Sequence, residues 1–532
     1  MNDFSAHSMS LVAFCAVASL TLLLCVMTGP DSDDLQEFYT GYGALTPFRN
    51  GMAIAGDYVS AATMLGTCGL VAFYGYDGML LALSTALSLL LLMLLLAEPL
   101  RNTGRFTLGD VLARRTGSRA VRVTICVVTL LALLPMMLVQ LAGAGQLMSF
   151  ILGFESDALE TGMVVGLGVL MISYAAIGGM KGTAFIQIVK IFIVLVSGVM
   201  VCAVLLARFD WNPGALFDAA ARGSGLGQAF LETGLEFTGH PHPTLDMLAI
   251  HVQTVVGAAC LPHITMRMFT ATSARQVRRS MSWAVSSVTL FSLIIIVVAF
   301  GAVALVGRAA IASADPQGNT TYLIGSSAAL DAGGSYLAAL LFTVVTTGVF
   351  LTLLASVAGM ILACANSVAH DMVAARRPGL TPRREVMTAR AAALGVGVLA
   401  VVLATMVQHR NLQPLVTLAL SVSSSAIAPA LVYSLFWRRF TRRGLLWSMI
   451  GGTAVVLLLS PFTNLVSGYP TSALPDHAFN WFPFTTTALV TIPVGFALGW
   501  IGTVTSPPHK VREQQHRYDD LEPRLLAGTA PH

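Results

Sequence analysis

Residues 51–66 read GMAIAGDYVSAATMLG, and their reading decides the fold. The stretch is apolar enough to enter a membrane, yet Gly56 and Asp57 sit well inside it. A carboxylate at membrane depth costs about 2.5–3.5 kcal/mol and needs a cation, a partner or a proton. Residues 257–263, GAACLPH, interrupt a second apolar run in a related way, with Pro262 placed to unwind the helix. Unwound backbone is tolerated at membrane depth where it lines a cavity, and paired broken helices in two halves of a transporter point to its binding site. Gly and Pro also serve close helix packing in membranes, and either break alone would carry that simpler meaning. Taken together with Asp57, the pair favours a binding site.

The rest of the chain supports a membrane setting. Of 532 residues, 55% are apolar and only 11% are charged, and the formal net charge is +4. So few charges cannot coat a soluble protein of this length, which would carry roughly 25%. Nucleic-acid binding is excluded by the weak, scattered positive charge. The seven cysteines lie in or beside apolar runs without metal-ligand spacing, as buried thiols do.

A bilayer-crossing helix needs about 20 apolar residues, and scanning on that basis predicts about thirteen segments. They fall near 9–27, 50–71, 78–98, 121–150, 161–178, 186–207, 246–264, 281–307, 336–372, 391–407, 414–436, 444–464 and 484–504. The ninth is too long for one straight span and is expected to carry a helical extension. With the N-terminus outside and the tail inside, the clusters at Arg114–Arg122, Arg275–Arg279, Arg376–Arg384 and Arg438–Arg443 all fall on the cytoplasmic face. Only Arg208, Arg222, Arg308 and Arg410 fall outside. Lys190 stands within the sixth span, near an end from which it could snorkel, and Arg267 reads as part of an interfacial cluster.

The two broken segments are the second and seventh. An offset of five gives opposite orientations, as an inverted repeat requires. The chain then divides into an N-terminal helix and inner loop (1–49), a first five-helix repeat (50–207), an external loop (208–245), a second repeat (246–436), two C-terminal helices (437–504) and a disordered cytoplasmic tail (505–532).

Beyond GMAIAGDYVSAATMLG, further stretches carry a family resemblance: AEPLRNTGRFTLGDVLARR (97–115), LVQLAGAGQL (138–147), AAIGGMKGTAFIQIVK (175–190), LPHITMRMFT (261–270), ANSVAHDMV (365–373) and FTRRG (440–444). Over roughly residues 36–505 the chain resembles the sodium:solute symporter family, and within it the cation/acetate branch. The resemblance implies an all-α integral membrane protein of leucine-transporter type, with two inverted five-helix repeats and flanking helices. It implies a secondary active symporter that couples uptake of a short monocarboxylate, of the acetate, propionate or pyruvate class, to a Na+ or H+ gradient by alternating access.

The resemblance also implies a cation site built from the carbonyls of Gly56 and Val59 with Thr352, Ala355 and Ser356. Helical spacing independently puts Thr352, Ala355 and Ser356 on one face, although both hydroxyls could instead bond back to their own helix. Ala355 stands where many sodium-coupled members have a hydroxyl, so Na+ and H+ both stay open. Asp57 is the expected coupling group. For the anion, the helix breaks near Ser60 and Gly257 offer exposed amides, with Thr63, Thr67 and Gln140 as neutral partners. Thr63-Met64 and Phe185 depart from the acetate branch's usual residues.

No cofactor, no metal beyond the monovalent cation, and no obligate protein partner is expected. Lipid and a small solute are the expected partners, and the inner membrane the expected location. A carrier of proline or a sugar is the alternative; a membrane sensor lacks room for a signalling domain. No HExxH motif and no GxSxG motif with partners suggests an enzyme.

Overall fold

A computed structural model describes residues 3–29, 34–41, 45–152, 156–331, 335–377, 379–408, 410–469 and 472–527. Among them the regular secondary structure is helical, with one isolated bridge between Ser467 and Leu474. All of the expected segments lie on helix. Among the described residues, nine helices are long and apolar enough to cross a membrane, or up to 11 if each sharply bent pair is one span. One of the nine, Asp157–Arg208, is 52 residues long and contains the fifth and sixth expected segments. It kinks at Gly179, whose φ of 54° and ψ of −155° only glycine adopts without strain.

Hydroxyl residues cap the helix starts. The Thr46 side chain accepts from the Arg49 amide ahead of Pro47–Tyr58, and Ser273, Ser335, Thr381 and Thr441 cap later helices in the same way. Each cap satisfies an amide that the helix cannot, and contributes about 1 kcal/mol. Between them run nearly featureless apolar stretches, and their mutual packing decides which side chains meet. The second span lies against the sixth and eighth, and the sixth lies along the ninth. The ninth runs Tyr336–Asn366 and continues as π-helix Ser367–Val373, the extension its length required.

The tail departs from expectation. Residues 508–527, read as disordered from their polar composition, form helix Pro508–Ala527, which packs against Ala97–Thr103 and Leu108–Thr116. Tyr518, Leu521 and Leu525 are buried at helical spacing, and Arg115 stacks over the Tyr518 ring at 4.7 Å. Residues 528–532 lie outside the described part.

In the loop at 208–245, the Asp77 carboxylate accepts from the amides of Gly234 (2.9 Å) and Glu236 (2.9 Å). Burial, with Asp77 and Asp246 nearby, pushes the Glu236 carboxyl up to about 8. An acid whose pKa is raised on folding keeps its proton in the packed loop, so loop stability should fall as pH rises from its ordinary range through about 8. Hydrogen exchange at the Gly234 and Glu236 amides, corrected for intrinsic chemistry, should speed up over that window in the wild type. Glu236→Gln should flatten the dependence.

Candidate functional site

The second span breaks where it was expected to. Helix Pro47–Tyr58 stops at Val59, which takes extended φ −72°, ψ 100°, and the chain resumes at a 67° angle through Ala62–Tyr74. Ser60 and Thr63 organise the restart. The Ser60 amide donates to Thr63 Oγ1 at 2.7 Å, and Thr63 Oγ1 donates to the Ser60 carbonyl at 2.9 Å. The Ala61 amide donates to Gln140 Oε1 at 2.9 Å. That bond leaves the other end of the fully buried Gln140 amide, Nε2, without a protein partner. A buried donor in that position is costly unless something else accepts from it.

The break also frees the Val59 carbonyl from the helix. Lys190 Nζ donates to it at 2.8 Å and lies 3.2 Å from Ser356 Oγ. Lys190 is fully buried, so it does not snorkel. One residue beyond Gly56, the Asp57 carboxylate accepts from Gln187 Nε2 at 2.6 Å and forms an ion pair with Arg267 Nε. Arg267 is 1% exposed and Asp57 2%, which corrects the interfacial reading of Arg267. The same Gln187 amide donates to the Ala355 carbonyl at 2.8 Å. Asp57, Gln187, Lys190, Arg267 and Ser356 therefore tie the second, sixth, seventh and ninth spans into one buried knot.

Gly56, Asp57, Val59, Ala355 and Ser356 are thus brought together as expected. Thr352 lies a turn from Ser356 and donates to the Gly348 carbonyl at 2.8 Å, while Ser356 donates to the Thr352 carbonyl at 2.9 Å. Both hydroxyls bond back to their own helix. Ser60, Thr63 and Gln140 gather at the restart, and Thr67 begins the helix that carries it on. The seventh span breaks at Cys260 and Leu261, between Pro243–Ala259 and Pro262–Thr265. The Gly257 carbonyl accepts from Ser423 Oγ of the eleventh span at 2.7 Å. Thr270, just past Arg267, donates to Asn50 Oδ1 at 2.7 Å and pins this end of the seventh span to the start of the second.

Gly56 is where two backbones touch. A Cβ there would stand 2.5 Å from the Gln187 carbonyl oxygen and 2.8 Å from its Cβ. Gly56→Ala should push the second and sixth spans apart, at the about 1–3 kcal/mol typical of overpacking, and should separate Gln187 from Asp57. Loss of uptake together with a lowered Tm is the expected result.

Two broken helices meeting at a buried charged knot are the architecture of a secondary transporter. The comparisons agree. The sodium:solute symporter family profile matches residues 38–452, and the chain belongs to the sodium:solute symporter family. It is 33% identical to a monocarboxylic acid transporter of Corynebacterium glutamicum, over 98% of this chain and 95% of the relative. It is also 33% identical to an uncharacterized symporter of Bacillus subtilis, over 94% and 95%. Among solved structures, the substrate-bound outward-open form of a Na+-coupled sialic acid symporter superposes with a TM-score of 0.70 at 11% identity, covering 94% of this chain and 98% of that one. Mhp1, a nucleobase-cation-symport-1 family transporter in a closed conformation, gives 0.50 at 14% identity, covering 92% and 98%. These likenesses establish the leucine-transporter-type fold of a multi-pass membrane transporter.

Proposed function

We propose that this chain is a cation-coupled symporter for short monocarboxylates of the acetate, propionate or pyruvate class. The observation that carries this reading is the charge of the buried knot. Asp57 brings one carboxylate, while Lys190 and Arg267 bring two basic groups, all buried in the spans. An unbalanced positive charge at that depth is expensive, and a carboxylate bound beside it restores neutrality. Gln140 Nε2, buried and unpartnered at the helix break, is a suitable donor to such an anion, and the break's own amides are others. The Corynebacterium relative's name points to the same class of substrate.

A lone monocarboxylate entering an inside-negative cell moves against about 2.3 kcal/mol per 100 mV. A monovalent cation travelling with it removes that opposition. Coupling arises when the cation and the anion both favour the arrangement from which the carrier closes. By the positive-inside rule, the arginine clusters support a cytoplasmic tail and cytoplasmic loops at 97–122 and 374–390.

Uptake of labelled acetate, propionate and pyruvate into proteoliposomes, competed with proline and glucose, tests the reading. Carboxylates should compete with one another while proline and glucose should not. No carboxylate uptake under any imposed cation gradient would overturn it.

A further inference from the structure

A sodium:solute symporter is expected to seat a sodium ion on the groups singled out in the sequence, and the residues present do not fit one. The Val59 carbonyl already accepts from Lys190 Nζ at 2.8 Å. Ser356 Oγ is 3.2 Å from the same amine and donates to Thr352 at 2.9 Å. The Ala355 carbonyl accepts from Gln187 at 2.8 Å, while Thr352 Oγ1 gives its proton to the Gly348 carbonyl at 2.8 Å. Ala355 brings no hydroxyl of its own. The Val59 and Ala355 carbonyls and Ser356 Oγ each already accept from a nitrogen donor, and the donor shared by Val59 and Ser356 is an ammonium.

From this disagreement we infer that the side-chain ammonium of Lys190 is the resident cation of this site, tethered to the sixth span, and that it takes the place of a free sodium ion. The chemistry matches. An ammonium offers three donors and a compact single charge, and the carbonyl and hydroxyl oxygens that would ligate a hard monovalent cation accept from it equally well. A sodium ion added beside it would meet a like charge at contact distance where little water screens the repulsion. Nor is there an easy way out for the lysine. It is fully buried, on a helix packed against both the second and the ninth spans, so vacating the site would carry its charge through apolar packing.

The inference rests on the transport reading above and narrows it. If the site holds its own ammonium, sodium is removed as the coupling ion at this place, which favours the proton of the two ions left open. The fixed charge also accounts for the positive surplus in the knot, which a substrate carboxylate would balance without any metal.

Two measurements on the full-length protein test this. In proteoliposomes, uptake of labelled acetate, propionate or pyruvate should proceed under an imposed proton gradient with choline replacing sodium, and adding a sodium gradient should change the rate by less than about twofold. In detergent, thermal unfolding in sodium chloride should match that in choline chloride, because a ligand raises Tm only where it binds the folded state. Lys190→Ala, which removes the amine and leaves its oxygens facing a void, should gain a sodium-specific rise in Tm. Sodium-dependent uptake in the wild type, or a sodium-specific Tm rise in the wild type that Ser356→Ala removes, would overturn the inference. The unfolding experiment needs no substrate. If no carboxylate is carried at all, the substrate reading fails while the occupancy of the site is still decided.

Discussion

Arg267→Met is expected to abolish uptake and to destabilise the protein by about 3–5 kcal/mol, the cost of leaving one member of a buried ion pair alone. Asp57 and Arg267 are both all but inaccessible and are paired directly. Met matches the length of the arginine stem, so packing is largely kept and the effect isolates the charge. Without Arg267, the direct partner left to Asp57 is the neutral Gln187 amide, because the other basic group of the knot, Lys190, is held on the Val59 carbonyl and Ser356 instead; a carboxylate that loses its paired cation in a membrane interior is costly. The second substitution separates stability from function. Asp57→Asn on its own leaves Arg267 with a neutral partner and should also abolish uptake. Combining Asp57→Asn with Arg267→Met removes both charges, so most of the lost Tm should return while uptake stays absent. If the double variant transports like the wild type, the pair is only structural.

Asp57 could be found in the sequence because an acidic residue inside an apolar run always needs an explanation. Its partners could not. Lys190 is 131 residues from the carbonyl it binds and Arg267 is 210 residues from Asp57. Each stands near the end of an apolar run, where a basic residue ordinarily reaches for the interface. Only packing of the second, sixth, seventh and ninth spans shows that these two turn inward. Gln187, which bridges Asp57 and Ala355, gave even less sign, since a glutamine within a span is often simple interhelical glue. The breaks were readable for the opposite reason. Gly56, Ser60, Pro262 and their neighbours act on their own backbone, so their consequence is local and lies in the residues themselves. The tail helix shows the same contrast. Its polar composition suggested disorder, while the spacing of Tyr518, Leu521 and Leu525 was the available signal of one buried face.

A comparable effect is expected at the arginine-rich face. Arg122 donates to Asp110 Oδ1 at 2.8 Å and to Asp371 Oδ1 at 3.1 Å. His370 bridges Asp110 at 3.0 Å and Glu385 at 2.7 Å, and Thr107 and Ser367 donate to Asp371 at 2.8 and 2.9 Å. Burial pushes the Asp110 carboxyl up, but the hydrogen bond and charge of His370, together with Arg122, outweigh it and hold that carboxyl well below the usual range. Thr107, Asp110 and Arg122 come from the connection between the third and fourth spans and the start of the fourth span. His370, Asp371 and Glu385 come from the end of the ninth span and the start of the tenth. The cluster therefore joins the two repeats, and alternating access requires contacts between repeats on one face to loosen as that face opens.

Arg122→Met removes the cation shared by Asp110 and Asp371. The loss should fall below the about 3–5 kcal/mol of a fully buried pair, since the Arg122 side chain is 25% exposed. With the inter-repeat contact weakened, the resting population should shift toward the arrangement open at this face. Cys126 and Cys364, both buried in the spans that carry Arg122 and Asp371, report that shift. Their labelling by a thiol reagent, resolved by peptide mass, should accelerate in Arg122→Met, while that of Cys260 in the seventh span should change less. Adding Asp371→Asn removes the surplus negative charge, so it should restore part of the lost Tm and slow the labelling again. Unchanged labelling of Cys126 and Cys364 alongside a lowered Tm would mean that the cluster holds the fold together without governing which face is open.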